Sequence, residues 1–257
     1  MPTLYLLTDF GYQDYYVGAM KGVIKSICPG ANVVDLSHGV RKFDVRHGAF
    51  ILWQSVSWLE RGSIVVGVVD PGVGTLRDPI IVKSGHLVFV GPDNGLFWPA
   101  IQRIGSYEVH KIDLRGTGLA ERRTGTFDGR DVFAPIAAML ACGKSINELS
   151  FEKRGMEMID LWRVRVEEKR IEGEVRNIDH FGNIVTNIPW SYINFERAIV
   201  RVGNSIGKAQ KSAHYSYRGL LMIRGSSELL EISLARGSAA DLLGAEVNDD
   251  ISIEVIE

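Results

Sequence analysis

Through the first 160 residues, short apolar runs alternate with longer stretches whose apolar positions recur at helical spacing. Residues 4–8, 32–36, 64–69, 80–82 and 86–90 read as strands, because each is brief and closed by turn residues. Residues 16–26, 45–59, 96–104 and 132–141 read as helices. This alternation predicts a layered α/β domain on a mostly parallel sheet, over residues 1–164. The pattern then changes. Residues 163–170 are charged and lack an apolar helical stripe, which marks a linker or an entry strand. Short β-rich segments follow at 170–178, 183–187, 198–202, 219–223, 229–234 and 250–255, separated by Gly, Asn and Ser. They predict a small antiparallel β-barrel over residues 165–257. No internal repeat or low-complexity tract interrupts either half.

Composition narrows the partners. A hydrophobic share of 46% and a charged share of 23% are ordinary for a globular chain. A formal net charge of −2 removes the usual electrostatic case for nucleic acid or an anionic membrane. No apolar run is long enough to span a bilayer, and the first residues carry no basic leader segment. The two cysteines, Cys28 and Cys142, lack metal-ligand spacing and are expected as buried thiols in a reducing cytoplasm.

Candidate chemistry concentrates where strands end. Val69-Asp-Pro-Gly-Val-Gly-Thr-Leu-Arg77 follows a buried strand and sets an acid and an arginine seven residues apart. Open α/β sheets keep their ligands at that end. A solvated loop with a surface ion pair is the competing reading. Asp9, at the end of the first strand, can bind both hydroxyls of a ribose, or cap the following helix. No glycine-rich phosphate loop follows it, which favours a nucleoside over a nucleotide.

Thr126-Phe-Asp-Gly-Arg-Asp-Val-Phe-Ala-Pro135 packs two acids and an arginine around a glycine. Asp131 and Arg130 are expected to cap the helix and pair with each other, while Asp128 can point into a cleft. Asn177-Ile-Asp-His-Phe-Gly-Asn-Ile-Val-Thr-Asn187 reads as a hairpin turn whose amides can also read an adenine edge. Gly225-Ser-Ser227 and residues 236–240 supply hydroxyls and N–H groups suited to a carboxylate. A metal site built from Asp9, Asp14, His38 and Asp70 lacks the usual ligand spacing. A serine-histidine-acid triad lacks its nucleophile elbow.

Taken in order, these segments resemble the S-adenosylmethionine hydrolase family, the S-adenosylmethionine hydroxide adenosyltransferases, related to fluorinating and chlorinating enzymes. The resemblance rests on Thr8-Asp-Phe-Gly11, Val68-Val-Asp-Pro-Gly-Val-Gly74, Gly91-Pro-Asp-Asn-Gly95, 126–135, 178–187 and Gly225-Ser-Ser227. It implies an N-terminal α/β domain and a C-terminal barrel. It further implies a homotrimer, with each active site between one subunit's N-terminal domain and its neighbour's C-terminal domain. Carried over by position, Asp9 matches the ribose-binding acid, and Asp70 and Arg77 match two members of an Asp-Arg-His water-activating set. Asn183 matches an adenine reader, Asp179 a residue near the methionine amine, and Ser226 and Ser227 the carboxylate region. Phe43 and Tyr215 align with aromatic walls.

The third catalytic position departs from the pattern, because Asp128 stands where the family has histidine. The implied reaction is displacement at C5′ by water, giving adenosine and L-methionine with no metal or organic cofactor. Arg77 would favour a developing hydroxide, and Asp70 would accept a proton or orient the water. An ionised Asp128 would repel hydroxide and attract the sulfonium. Alternatively, two close acids would push one pKa upward and share the water as base and donor. Slowed hydrolysis is the leading expectation. A catalytically silent S-adenosylmethionine or adenosine binder is the runner-up, and a halide-using transferase the third.

Overall fold

The computed structural model describes residues 1–121, 123–215 and 218–256. It divides into two compact units, residues 1–159 and 160–257.

Unit 1 runs β1 (Thr3–Thr8), α1 (Tyr16–Ile27), β2 (Asn32–Ser37), α2 (Val45–Ser55), β3 (Ile64–Val68), β4 (Pro79–Ser84), β5 (Leu87–Pro92), α3 (Trp98–Ile104) and β6 (Tyr107–Ile112). A π turn (Gly129–Phe133), α4 (Ala134–Ala141), α5 (Ile146–Leu149) and β7 (Ser150–Glu152) complete it. The sheet order is β2-β1-β3-β5-β4-β6-β7. The first four strands in that order pair in parallel, and β4, β6 and β7 extend the sheet as an antiparallel arm. The expected α/β layering is therefore present, with the parallel part where the candidate acids lie. Every residue of β3 is buried, as a continuous β-branched run at a sheet centre requires.

Helix α1 buries Val17, Met20 and Ile24, one face at three- and four-residue spacing. Pro29 and Gly30 follow its end, residues that do not extend a helix. The helix packs on α4 beside a core that includes Leu4, Leu6, Ile64, Val66 and Val132. This packing corrects the expectation for the cysteines. Cys28 and Cys142, at the ends of α1 and α4, form a disulfide with Cα atoms 5.8 Å apart. The two lie 114 residues apart in sequence, so no spacing rule brings them together before the helices pack.

Unit 2 comprises β8 (Arg165–Val166), β9 (Arg170–Ile178), β10 (Ile184–Pro189), β11 (Arg197–Val202), β12 (Ser205–Lys211), β13 (Leu220–Arg224), β14 (Leu229–Leu234), α6 (Ala239–Leu243) and β15 (Asp250–Ile256). Seven strands, β10-β14-β13-β12-β11-β15-β9, close through the β9–β10 pairing, and β8 adds to β9 at the side. The barrel is antiparallel except at β12–β13, which pair in parallel. Strand β12 carries Gly, Ser, Lys and Gln, too little apolar alternation to announce itself. Inward residues such as Val175, Ile184, Val200, Met222, Ile232 and Ile253 fill the core.

No helix among the described residues is long and apolar enough to cross a membrane.

Candidate active site

Strands β1 and β3 are parallel neighbours with Thr8 opposite Val68, so the chain leaves both at the same sheet edge. Asp9 and Asp70 emerge there and line one cavity of about 570 Å³. Asn94, in the turn after β5, donates its amide to the Val69 carbonyl at 2.8 Å and pins the loop just before Asp70. Gly74, at φ +80°, lets this loop reach the 123–128 segment. A Cβ there would sit 2.6 Å from the Gly125 carbonyl oxygen, a space no other residue can use.

That close approach joins two distant loops through charge. Arg77 Nε lies 3.0 Å from both Asp70 oxygens, and Arg77 Nη2 bonds Asp70 Oδ2 as well. The same Nη2 reaches Asp128 Oδ2 at 2.5 Å. Arg123 then clasps Asp128 from its other side, Nε to Oδ1 and Nη2 to Oδ2, both at 2.6 Å. Asp128 is 2% exposed. Burial alone would raise its pKa, but the bonds from Arg123 and Arg77 outweigh this and hold the carboxyl below its usual range. Arg77 itself is absent from the cavity wall, which Asp70 and Asp128 line. Its guanidinium lies over the Phe133 ring, 5.3 Å from the centroid.

Asp9 does not cap α1, whose N-terminus begins at Tyr16 with no side-chain cap. Its Oδ2 accepts the Phe43 N–H at 2.8 Å instead. Phe43 holds φ at 66°, uncommon for a bulky residue, and leaves its ring exposed at the cavity. Burial pushes the Asp9 carboxyl upward, the Phe43 N–H opposes this, and the Asp70 charge adds to the rise. His38 is buried away from the cavity, between Thr8 Oγ1 at 2.8 Å and Asp35 at 3.1 Å. Arg130 and Asp131 pair at 2.6 Å as expected. Asp131 caps nothing in the helix, however, and holds the Thr124 N–H and hydroxyl. The π turn they occupy widens the backbone here, a feature common at functional sites.

Unit 2 has its own cavity of about 540 Å³, lined in part by Asp179, Asn183, Tyr215 and Arg236. Asp179 Oδ1 accepts the Phe181 and Asn183 N–H groups at 2.9 Å, and Oδ2 accepts the Asn183 amide at 2.8 Å. Gly182 turns this loop at φ +80°, where a Cβ would strike Ser238. The turn therefore consumes Asp179 and one Asn183 amide hydrogen, and leaves the Asn183 side chain on the cavity wall. Tyr215 donates to Glu231 at 2.8 Å. Burial first and then the Glu231 bond push its phenol up to about 12. Ser226 and Ser227 lie in the β13–β14 turn and are not part of this cavity wall.

Sequence reasoning missed Arg123 and Glu231, and the cavity aromatics Tyr15, Tyr16 and Phe127. Arg123 had one available signal, a basic residue five positions before an acid that no other residue explained.

Comparison with known proteins gives the family. Residues 4–150 match the SAM hydroxide adenosyltransferase N-terminal domain, and residues 173–252 match the C-terminal domain of that family. A (R)-S-adenosyl-L-methionine hydrolase of Salinispora arenicola is 33% identical, over 98% of this chain and 97% of its own. The Thermus thermophilus protein of the same name is 35% identical, over 95% and 96%. A crystal structure of an uncharacterized conserved protein from Thermotoga maritima superposes with a TM-score of 0.90 at 33% identity, covering 98% of this chain and 99% of that one.

Proposed function

We infer that this chain, which belongs to the SAM hydroxide adenosyltransferase family, hydrolyses S-adenosyl-L-methionine to adenosine and L-methionine. The observation that carries the reading is the wall of the unit 1 cavity. Asp9, Asp14, Asp70 and Asp128 face it together with Tyr15, Tyr16, Phe43 and Phe127. Four carboxyl groups against two bases, Lys42 and Arg130, set among aromatic rings suit a cationic ligand with flat and hydroxylated parts, as a sulfonium nucleoside has.

In the proposed reaction a water oxygen attacks C5′ opposite the sulfur. The C5′–O bond forms as the C5′–S bond breaks, and the electron pair leaves with sulfur to give the neutral thioether of methionine. The water proton passes to Asp70 and then to solvent. Asp70 is the group for this step because it lines the cavity and is fixed by Arg77 on its far side. Asp9 takes the ribose hydroxyls. The charge on sulfur fades as its bond breaks, so the acidic wall stabilises the ground state more than the transition state. This is the physical reason to expect slow turnover.

The remaining assignments complete the ligand. We place the adenine against Asn183, the aromatic edge at Tyr215, the methionine amine near Asp179 and its carboxylate at Ser226 and Ser227. In the homotrimer we propose, the unit 1 surface of one subunit and the unit 2 surface of a neighbour share one ligand. We keep the cytoplasm as the proposed compartment. The Cys28–Cys142 disulfide would then make this an unusual intracellular protein.

A second reading, a silent binder, draws on one observation: Asp128 is committed to two arginines and offers the water no proton. Incubation with S-adenosylmethionine, followed by chromatography, separates the readings. Adenosine and methionine should accumulate in equal amounts above a heat-killed control. Intact substrate retained on the protein would favour the binder, and halogenated adenosine on adding chloride or fluoride would favour the transferase.

A further inference from the structure

Asp70, Arg77, Asp128 and Arg123 form a chain of alternating charge behind the cavity wall. Its members differ in how firmly they are held. The Asp70, Arg77 and Asp128 side chains are 5%, 9% and 1% exposed, while Arg123 is 24% exposed. Arg77 commits Nε and Nη2 to Asp70 and shares only Nη2 with Asp128. One guanidinium between two buried carboxylates would leave an uncompensated negative charge, which low-dielectric surroundings penalise. Arg123 removes that deficit. It meets both oxygens of Asp128 in the forked geometry that makes guanidinium–carboxylate pairs strong and directional.

We propose that Arg123 is a positioning residue for the water-activating pair: by clamping Asp128 ionised and fixed, it keeps Arg77 stretched between Asp128 and Asp70 and so aims Asp70 at the cavity. Without the clamp Asp128 has two ways out, taking a proton or drawing Arg77 away from Asp70. Either one disturbs the carboxylate that meets the water. Among the described residues, the charged groups acting on Asp128 and Arg123 are few. Arg77 and Asp70 come from the loop after β3, and the Asp131 charge from the π turn also favours the charged Arg123. No imidazole is among them, so the pair has no partner that titrates near neutrality.

The catalytic part of this inference rests on the proposed hydrolysis, and the electrostatic part does not. The test therefore uses two readouts on the full chain, with Arg123→Ala and Arg123→Lys made in the natural and Asp128→Asn backgrounds. Carbon-13 labelling of aspartate follows the Asp128 carboxyl through a pH titration, its signal identified by its loss in Asp128→Asn. In Arg123→Ala the midpoint should rise by about one unit or more, the loss of a charge-assisted pair. Arg123→Lys, which keeps the charge but not the fork, should recover part of the shift.

For turnover, Arg123→Ala should lower kcat about tenfold with KM little changed, and cost less than about threefold when Asp128 is already Asn. An unmoved carboxyl midpoint in both Arg123 variants overturns the clamp. An equal loss of kcat in the two backgrounds overturns the positioning role. If the natural protein forms no adenosine, the hydrolase reading fails while the titration still decides the clamp.

Discussion

The two cavities satisfy their acids by different means. In unit 1, Asp128 is balanced by arginines five and 51 residues away, across loops that only the folded sheet brings together. In unit 2, Asp179 is satisfied within four residues by two backbone N–H groups and one amide. A charge balanced over a long range stays poised: its energy depends on every partner, and removing one leaves a buried ion. A charge absorbed by its own turn is spent on local structure. The first arrangement suits chemistry at a bond, and the second suits presentation of a neutral reader such as Asn183. On the proposed function the contrast gives the units separate tasks, and each task can be tested alone.

The sharpest test is Asp70→Asn. Its side chain keeps the volume but loses the base, so kcat should fall by roughly 10²- to 10⁴-fold with KM nearly constant. Steady-state release of adenosine measures it. Near-normal turnover would remove the chemistry from unit 1 and break the comparison outright.

Asn183→Ala addresses the other unit. The variant loses the amide on the cavity wall and one bond to Asp179. It should raise KM about tenfold, equivalent to one hydrogen bond left unmade, and leave kcat within about threefold. Calorimetric titration with adenosine gives the same answer without turnover. A collapse of kcat with KM unchanged would mean that unit 2 takes part in the chemical step.

The same contrast explains what could be read before folding. The Asx turn at 179–183 was legible because all its partners lie within one short segment, and Asp70 with Arg77 because seven residues separate them. The β3 run announced itself by being wholly apolar. What stayed hidden depends on distance along the chain. The Arg77–Asp128 bond and the Cys28–Cys142 disulfide need α1, α4 and two loops in place first. Strand β6 reads Tyr-Glu-Val-His-Lys-Ile, and its exposed polar residues hid it among loops. The role of Asp128 was ambiguous for a related reason. Position alone left open whether it stands ionised or shares a proton with a second acid, and its arginine partners, which hold the carboxyl below its usual range, come from loops that only the fold brings together.

The smallest expected effect belongs to Tyr215, and it sharpens the comparison through pH. Its phenol is held near 12 by burial and by the Glu231 bond. A folded-state pKa above the unfolded value of about 10 stabilises the protein fully below pH 10. That contribution is lost as pH rises through about 12. Across the neutral range Tyr215 is thus an uncharged wall that nothing titrates. Tyr215→Phe keeps the ring and removes one half-buried hydrogen bond, while Glu231 keeps the Ser233 hydroxyl, so KM should rise less than about threefold between pH 6 and 9, with no slope against pH. A spectroscopic titration should lose one late-ionising tyrosine. A pH-dependent KM in this variant would show that charge on the unit 2 wall, and not the ring alone, reaches the ligand. Unit 2 would then resemble unit 1 more than its self-satisfied turn implies.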